Sequence, residues 1–337
     1  MRKILTPLMA LAASAAWAAT ITVTSPTSGD FLGKTNKVNF NITGSSKQVT
    51  VTVVATLDSD PLTKVQVEEK FSPDVDGKID DSINLNFAES TPEGSYTLTV
   101  TAVESGNTYN TVPDINVNVD VRAPKFGNFN PLSGAFVRGT VPIAVDLEET
   151  NVKEWRVRIN NADIPNNSGS TNTVGVNWDT SSIISDGSQS INISVEDLAG
   201  NKSNKNVNVT LDRVKPSASI MSPTNGSSFR PNARVSVVVR VTDQYSNSVH
   251  HTGVDVRLKT LNDVTIGRVA RRSVRHFGND LTWTGRIRNT RDLPSEFKIV
   301  VDVVDRAGNV AVTQEVTIST SSRGRAGRGG RDRGRRR

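Results

Sequence analysis

The sequence predicts an all-β protein of three consecutive β-sandwich domains, and two observations support this. A turn motif recurs as Ser-Pro-Thr-Ser-Gly at 25–29, Asn-Pro-Leu-Ser-Gly at 130–134 and Ser-Pro-Thr-Asn-Gly at 222–226. Its copies begin 105 and 92 residues apart, which matches the length of one sandwich domain. Between the turns, apolar residues alternate with polar ones, as at 191–195 and 235–242, and this period of two is typical of half-buried antiparallel strands.

The first 18 residues have the organisation of a secretory signal peptide. Arg2 and Lys3 precede an apolar segment at 4–15, and Ala-Trp-Ala at 16–18 supplies the small residues of a cleavage site. The apolar segment is too short for a membrane span, which needs about 20 residues. We therefore predict export to the periplasm, the cell surface or the medium, with a mature chain that begins at Ala19. The sequence contains no cysteine, so no disulfide stabilises the domains.

The mature chain divides into three domains and a C-terminal tail. We place the domains at 19–121, 122–213 and 214–320, because Asp-x-x-x-Pro sequences that end at Pro124 and Pro216 join consecutive units. Proline suits the start of a strand, where no N–H is needed, and it also stiffens the junction.

A second repeated motif lies late in each domain. Asp-Leu-Ala-Gly-Asn at 197–201 matches Asp-Arg-Ala-Gly-Asn at 305–309, and a diverged version lies at 103–107. Its aspartates can accept hydrogen bonds from the turn backbone, and its glycines can adopt the positive φ that closes a hairpin. We therefore interpret the motif as a structural turn.

The Asp-x-x-x-Pro linkers, the Ser-Pro-Thr-Asn-Gly turn and the Asp-x-Ala-Gly-Asn hairpin together resemble the tandem bacterial immunoglobulin-like domains of envelope and surface proteins. The resemblance extends over 19–320 and is weakest in the first domain, where Ser105-Gly106 replaces Leu-Ala-Gly. It implies a sandwich that acts as a spacer, an adhesin stalk or a binding module. It implies no single activity, because this fold carries many functions.

Charge is distributed unevenly along the chain. The first domain has 6 Lys and Arg against 14 Asp and Glu, the second 9 against 10, and the third 15 against 9. The tail at 321–337 adds eight Arg against one Asp. One end of the molecule is therefore acidic and the other basic, although the net charge of the whole sequence is only +6.

The tail is the strongest functional signal in the sequence. Nothing in it is apolar enough to offset the entropy of ordering, so we expect it to be disordered. Arginine presents a planar fork that binds phosphate, sulfate or carboxylate, and the composition resembles Arg-Gly-rich segments that bind nucleic acid. The alternative is a tail that only adds solubility. The candidate polyanion-binding residues are Arg323, Arg325, Arg328, Arg331, Arg333, Arg335, Arg336 and Arg337.

Arginines of the third domain continue this basic character. Arg234 and Arg240 share the outward parity of one predicted strand, and Arg286 and Arg288 flank the inward Ile287 on another. If these are the second and fifth strands of the sandwich, they are neighbours in one sheet and form one basic face. The alternative is that the arginines are merely solvated. Four more arginines lie between these strands in the sequence, and we expect them on the adjoining edge. The candidate residues of the face and its edge are Arg234, Arg240, Arg268, Arg271, Arg272, Arg275, Arg286 and Arg288.

Three aromatic residues occupy similar positions in the three domains: Phe87, Trp178 and Trp283. We expect them to lie in the cores between the sheets. A carbohydrate-binding role is disfavoured, because only 5% of the residues are aromatic.

A calcium loop is the one metal site that the sequence suggests. Asp74, Asp76 and Asp80 lie in an acidic segment that partly matches a calcium-binding loop. Ser72 and Ile83 stand where the first aspartate and the bidentate glutamate are needed, and a hairpin turn explains the segment equally well. We predict no other cofactor. The sequence contains no catalytic motif that we recognise, so we predict that the protein is not an enzyme.

These observations favour an exported structural or adhesive protein of the cell envelope or surface, whose basic C-terminal end docks on an anionic polymer. One alternative is an exported protein that binds extracellular DNA without base preference. Another is an accessory subunit of a secreted enzyme complex. We expect the acidic first domain either to bind a protein partner or to pair with the basic end of a neighbouring molecule.

Overall fold

The computed structural model describes residues 19–109, 112–288 and 290–320. The predicted signal peptide and the predicted tail lie outside the described residues. The described chain is almost entirely β and forms three immunoglobulin-like sandwiches in succession, which confirms the predicted fold class. No helix among these residues is long and apolar enough to cross a membrane.

The first domain consists of two facing sheets. One has the strand order β1-β3-β6, and the other has the order β2-β9-β7-β4-β5, with β8 paired to β7. The strands are β1 Thr20–Ser25, β2 Phe31–Leu32, β3 Thr35–Thr43, β4 Val49–Leu57, β5 Lys64–Phe71, β6 Lys78–Asn86, β7 Gly94–Glu104, β8 Asn107–Thr108 and β9 Ile115–Val119.

The second domain repeats this plan. Its sheets have the orders β10-β12-β15 and β11-β17-β16-β13-β14, and a short 3-10 helix, Thr180–Ser182, follows β15. The strands are β10 Lys125–Asn130, β11 Phe136–Val137, β12 Thr140–Glu148, β13 Val152–Ile159, β14 Ala162–Gly169, β15 Thr173–Asp179, β16 Gly187–Asp197 and β17 Lys202–Leu211.

The third domain has one additional strand in its smaller sheet. The sheet orders are β18-β20-β24-β23 and β19-β26-β25-β21-β22, and a 3-10 helix, His251–Gly253, precedes β21. The strands are β18 Ser217–Ser222, β19 Ser228–Phe229, β20 Val235–Thr242, β21 Val254–Lys259, β22 Thr265–Arg268, β23 Ala270–Phe277, β24 Asp280–Ile287, β25 Glu296–Val303 and β26 Gln314–Thr320.

The repeated turn moves the chain from one sheet of each domain to the other. Its last residue has a positive φ in every copy, 96° at Gly29, 80° at Gly134 and 77° at Gly226, so glycine is favoured there. The same glycine donates its N–H to a carbonyl of the last strand of its domain at 2.7–2.8 Å. The two-residue strand that follows then pairs in parallel with that last strand. The motif recurs because each domain makes the same change of sheet.

An apolar core fills the space between the two sheets of each domain. Phe87, Trp178 and Trp283 are 4%, 1% and 2% exposed, and each belongs to the core of its own domain. The expectation that these aromatic rings lie between the sheets is confirmed.

Candidate functional site

The sheet order of the third domain brings together arginines that are distant in the sequence. Strand β20 pairs with β24, and β24 pairs with the edge strand β23, so Ser236, Arg286 and Ala270 form one row across the sheet. Arg234 directly precedes β20 and Arg288 directly follows β24. The linker from the second domain enters at the other end of β20, where Ser217 pairs with Thr242. The arginines therefore meet at the end of the domain that lies away from the linker.

Five arginines line one pocket at this end of the domain. The pocket has a volume of about 340 Å³, and its lining consists of Arg234, Ala270, Arg271, Arg272, Arg286 and Arg288. None of these arginines forms an ion pair with another residue of the described chain. Like charges around one concavity repel unless an anion compensates them. The pocket therefore suits a group with several anionic oxygens, which guanidinium binds through paired hydrogen bonds.

Arg240 lies outside the pocket. It is six residues after Arg234 along an extended strand, a distance of about 20 Å. Its guanidinium forms an ion pair with Asp280. Hydrogen bonds from Thr242 and from Arg240 hold the pKa of Asp280 below its usual value. The charge of Arg240 is thus already compensated within the protein.

Two further predicted residues also lie apart from the pocket. Arg275 is on the edge strand β23, where it pairs in register with Thr282. Arg268 belongs to β22, which is in the opposite sheet, and its Nη2 atom is 3.6 Å from a carboxylate oxygen of Asp255. The basic face and edge predicted from the sequence therefore separate into a compact pocket and three peripheral arginines.

The predicted tail arginines, at 323–337, lie outside the described residues. The last strand ends at Thr320, which pairs with Phe229. Arg230 follows Phe229, and its backbone carbonyl accepts a hydrogen bond from the hydroxyl of Thr290. Thr290 lies two residues after Arg288. The described chain thus ends at the same end of the domain as the arginine pocket.

The acidic segment of the first domain forms the turn between β5 and β6. The Oδ1 atom of Asp74 accepts hydrogen bonds from the N–H groups of Asp76 and Lys78, at 2.9 and 2.8 Å. Gly77 has a φ of 71°, and Asp80 lies within β6, opposite Asn41. These hydrogen bonds form a tight turn, but the hairpin interpretation is wrong, because β5 and β6 belong to different sheets and do not pair. Calcium binding by Asp74, Asp76 and Asp80 stays a prediction.

A group of buried carboxylates lies at the junction of the second and third domains, and the sequence did not reveal it. Asp212, Asp243 and Asp305 are 0%, 7% and 7% exposed, and each has a carboxylate oxygen within 4.8 Å of the others. Burial raises the pKa of Asp212; the charges of the other two aspartates add to the rise, and a hydrogen bond from Gln244 opposes it. Burial also raises the pKa of Asp243. The Oδ2 atom of Asp212 is buried without a hydrogen-bond partner.

The junction of the first and second domains holds the corresponding group, formed by Asp120, Glu149 and Asp197. Burial raises the pKa of Asp120 to about 6, and the charges of Asp197 and Glu149 add to the rise against a hydrogen bond from the N–H of Arg122. The three side chains come from the linker, the end of a strand and the Asp-x-Ala-Gly-Asn hairpin. The repeats contained a signal for this group, since an acidic residue occupies all three positions in both later domains.

Comparison of the sequence with protein-family models finds no match, and neither does comparison with curated proteins. The fold is similar to that of fibronectin(III)-like modules of CbhA from Clostridium thermocellum, with 13% identity and a TM-score of 0.39 over 58% of this chain and 93% of that chain. It is also similar to a tetra-tandem repeat from the extending region of a large adhesion protein, with 18% identity and a TM-score of 0.28 over 90% of this chain and 74% of that chain. A 1.5-MDa bacterial ice-binding adhesin gives 14% identity and a TM-score of 0.27 over 89% of this chain and 98% of that chain. The structural neighbours thus include tandem fibronectin-like modules and bacterial adhesin repeats.

Proposed function

We propose that this chain is an exported, non-catalytic structural or adhesive protein of the cell envelope or surface, and that its basic C-terminal end binds an anionic polymer. The observation that carries the proposal is the pocket of five arginines with no acidic partner in the described chain. An isolated surface arginine needs no explanation, but five around about 340 Å³ concentrate positive potential at one point.

The position of the pocket supports the same role. The described chain ends at Thr320, at the same end of the domain as the pocket, and the sequence that follows contains eight more arginines. A multivalent polymer can engage both regions at once, which raises the effective concentration of the second contact. The acidic first domain lies two junctions away and does not oppose this attraction at physiological salt, where charges are screened within about 8 Å.

A polysaccharide or lipopolysaccharide fits the pocket better than a single-stranded nucleic acid does. No aromatic residue contributes to the lining, whereas binding of single strands relies on rings that stack on bases. Phosphate, sulfate and carboxylate groups on a polymer need only charge and hydrogen-bond donors, which arginine supplies.

The test is binding of the mature chain to lipopolysaccharide, an acidic polysaccharide and duplex DNA across a salt series. Arg272→Glu combined with Arg286→Glu reverses two charges inside the pocket. Arg268→Glu combined with Arg275→Glu makes the same change of net charge in the same domain but outside the pocket. We expect the pocket variant to bind the envelope polymer at least about tenfold more weakly, because each lost charged hydrogen bond is worth about 1.5–3 kcal/mol. The control variant retains most of the affinity.

Equal losses in the two variants would show that net charge, and not the pocket, governs binding. Stronger binding to DNA than to either envelope polymer would favour the nucleic-acid alternative. Deletion of 321–337 measures the contribution of the tail, and unchanged binding after this deletion would remove the tail from the proposal.

A further inference from the structure

We propose that each of the two domain junctions binds one Ca²⁺ ion, held by Asp212, Asp243 and Asp305 at the second junction and by Asp120, Glu149 and Asp197 at the first. These sites are separate from the acidic turn at Asp74 and from the arginine pocket. The ions tie each linker to the domain that follows it.

The carboxylates of the second junction, Asp212, Asp243 and Asp305, are buried close together. Three carboxylates that lie within 4.8 Å of one another and are at most 7% exposed repel strongly when ionised. No lysine, arginine or histidine of the described chain forms an ion pair with any of them. The Oδ2 atom of Asp212 is buried and accepts no hydrogen bond. A buried polar atom without a partner is rare, and here a cation would satisfy it and compensate the negative charge.

The remaining oxygens are held in place by protein donors. Both oxygens of Asp305 accept hydrogen bonds from Asn309, one from its N–H and one from Nδ2, each at 2.7 Å. Asp243 accepts from the N–H of Gln244 and from the hydroxyl of Ser248. Each carboxylate oxygen has two lone pairs, so these bonds orient the groups and leave capacity for a metal ion.

The chemistry of the donors selects the ion. All three side chains supply carboxylate oxygen, and no histidine or cysteine takes part, which favours a hard cation over zinc or copper. Ca²⁺ accepts irregular oxygen sets and loses its water readily, whereas Mg²⁺ retains several waters and requires near-octahedral geometry. A buried group of three carboxylates therefore suits Ca²⁺.

The first junction repeats the contacts between hairpin and linker. Asn201 donates its N–H to Asp197 at 2.8 Å, and its Nδ2 donates to the carbonyl of Asp120 at 2.9 Å. Asn309 makes the equivalent bond to the carbonyl of Asp212, also at 2.9 Å. Two junctions of differing sequence thus place a linker acid, a strand-end acid and a hairpin acid together, with Asp120 and Glu149 of the first partly exposed.

The first domain offers a contrast within the same chain. Glu104 occupies the hairpin position that Asp197 and Asp305 occupy in the later domains. Its carboxylate accepts hydrogen bonds from the backbone N–H groups of Ser46 and Lys47 and from the hydroxyl of Tyr109. Protein donors alone satisfy this acid, and it belongs to neither carboxylate cluster.

An ion at these positions would restrain the domains. The linker residue Asp212 donates its N–H to Val137 of the second domain, while the other two ligands belong to the third domain. Asp120 likewise donates to Leu32 of the first domain. Because each linker aspartate is anchored to the preceding domain, a cation that it shares with the following domain joins the two.

Calcium titration of the mature chain by calorimetry tests the proposal directly. We expect two ions per chain, one ion for Asp212→Asn or Asp120→Asn, and none for the double variant. The control is Glu104→Gln, which retains both ions. An ion that is lost only in Asp74→Asn would belong to the turn between β5 and β6 and would not count toward the two.

Thermal unfolding of Asp212→Asn separates ion binding from general damage. Its new amide nitrogen replaces an oxygen that has no donor, removes one of three like charges and can donate to Asp243 or Asp305. We therefore expect the third domain of the variant to melt above that of the wild type in EDTA and below it, by about 5 °C or more, in saturating Ca²⁺. A variant that is merely misfolded melts lower in both solutions.

Three results would overturn the proposal. The first is a wild-type chain that binds no Ca²⁺ at millimolar concentration. The second is a double variant with undiminished stoichiometry. The third is a preference for Mg²⁺ over Ca²⁺, which would assign the clusters to a different ion.

Discussion

Gly285 makes room for the indole ring of Trp283, two positions earlier on β24. A Cβ atom on Gly285 would lie 2.4 Å from Cη2 of the ring and 2.8 Å from Cγ1 of Val269. In the second domain, a Cβ atom on Gly169 would lie 2.4 Å from Cζ2 of Trp155. The burial of Trp283 was predictable from its position in the repeat. The glycine beneath it was not, because the contact depends on the rotamer of the ring and not on sequence spacing.

Substitution of Gly285 by alanine tests this contact. We expect Gly285→Ala to lower the free energy of unfolding of the third domain by about 1–3 kcal/mol, since the ring and Val269 must shift to accept the methyl group. Gly175→Ala is the matched control, because Gly175 also lies within a strand but no atom is within 4 Å of its Cβ position. That control should be neutral or stabilising by up to about 1 kcal/mol. Denaturant unfolding measures both, and a similar loss in the two variants would contradict the ring contact.

The Asp-x-Ala-Gly-Asn hairpins show which part of an element the sequence reveals. The predicted roles of aspartate and glycine are confirmed, since Asp197 and Asp305 accept N–H groups of the turn and Gly200 and Gly308 have φ values of 85° and 88°. The role of the asparagine was missed. Its side chain reaches the carbonyl of a linker residue 81 or 97 positions earlier. Sequence periodicity reports on neighbours within a strand or turn, and it does not register contacts between consecutive domains.

Asn201→Ala and Asn309→Ala should each loosen one junction while the domains stay folded. Loss of the amide removes about 1–3 kcal/mol of hydrogen bonding that is partly or wholly buried. We expect trypsin to cleave several times faster after Arg122 in Asn201→Ala and after Arg213 in Asn309→Ala. The digestion should be done in EDTA so that the outcome does not depend on any bound ion.

Asn107 provides the control for this experiment. It occupies the same hairpin position in the first domain, is exposed, and lies in β8 away from both linkers. Asn107→Ala should leave cleavage at both linkers unchanged. If all three variants are cleaved equally fast, the amides stabilise their own hairpins and not the junctions.

The distribution of charge along the chain follows from the sequence alone. Which arginines of the third domain lack an acidic partner does not. The sequence assigned eight arginines of the third domain to one face and its adjoining edge, and the structure collects five of them in one pocket. Arg240 is compensated by Asp280, which lies one strand away opposite Thr242. Arg268 lies on the other sheet. Strand register decides the first outcome and the assignment of strands to sheets decides the second, and neither can be read from parity within one strand.

This asymmetry of charge predicts head-to-tail association of the mature chain at low ionic strength. The first domain has eight more acidic than basic residues, and the third has six more basic than acidic ones. In about 10 mM salt the Debye length is about 30 Å, so opposite ends attract, and at 0.15 M it falls to about 8 Å. We expect the sedimentation coefficient to rise with protein concentration only at the lower salt.

Two double variants change the net charge of the third domain equally: Arg272→Glu with Arg286→Glu inside the pocket, and Arg268→Glu with Arg275→Glu outside it. Comparing them distinguishes a specific contact in the pocket from attraction by the overall charge of the domain. Association that both variants weaken to the same degree arises from the overall charge of the domain. Association that only the pocket variant loses requires an acidic group of the neighbouring molecule inside the pocket, which would then compete with the anionic polymer for the same five arginines. A wild-type chain that remains monomeric at both salt concentrations would contradict the prediction and leave the acidic first domain available to a different protein.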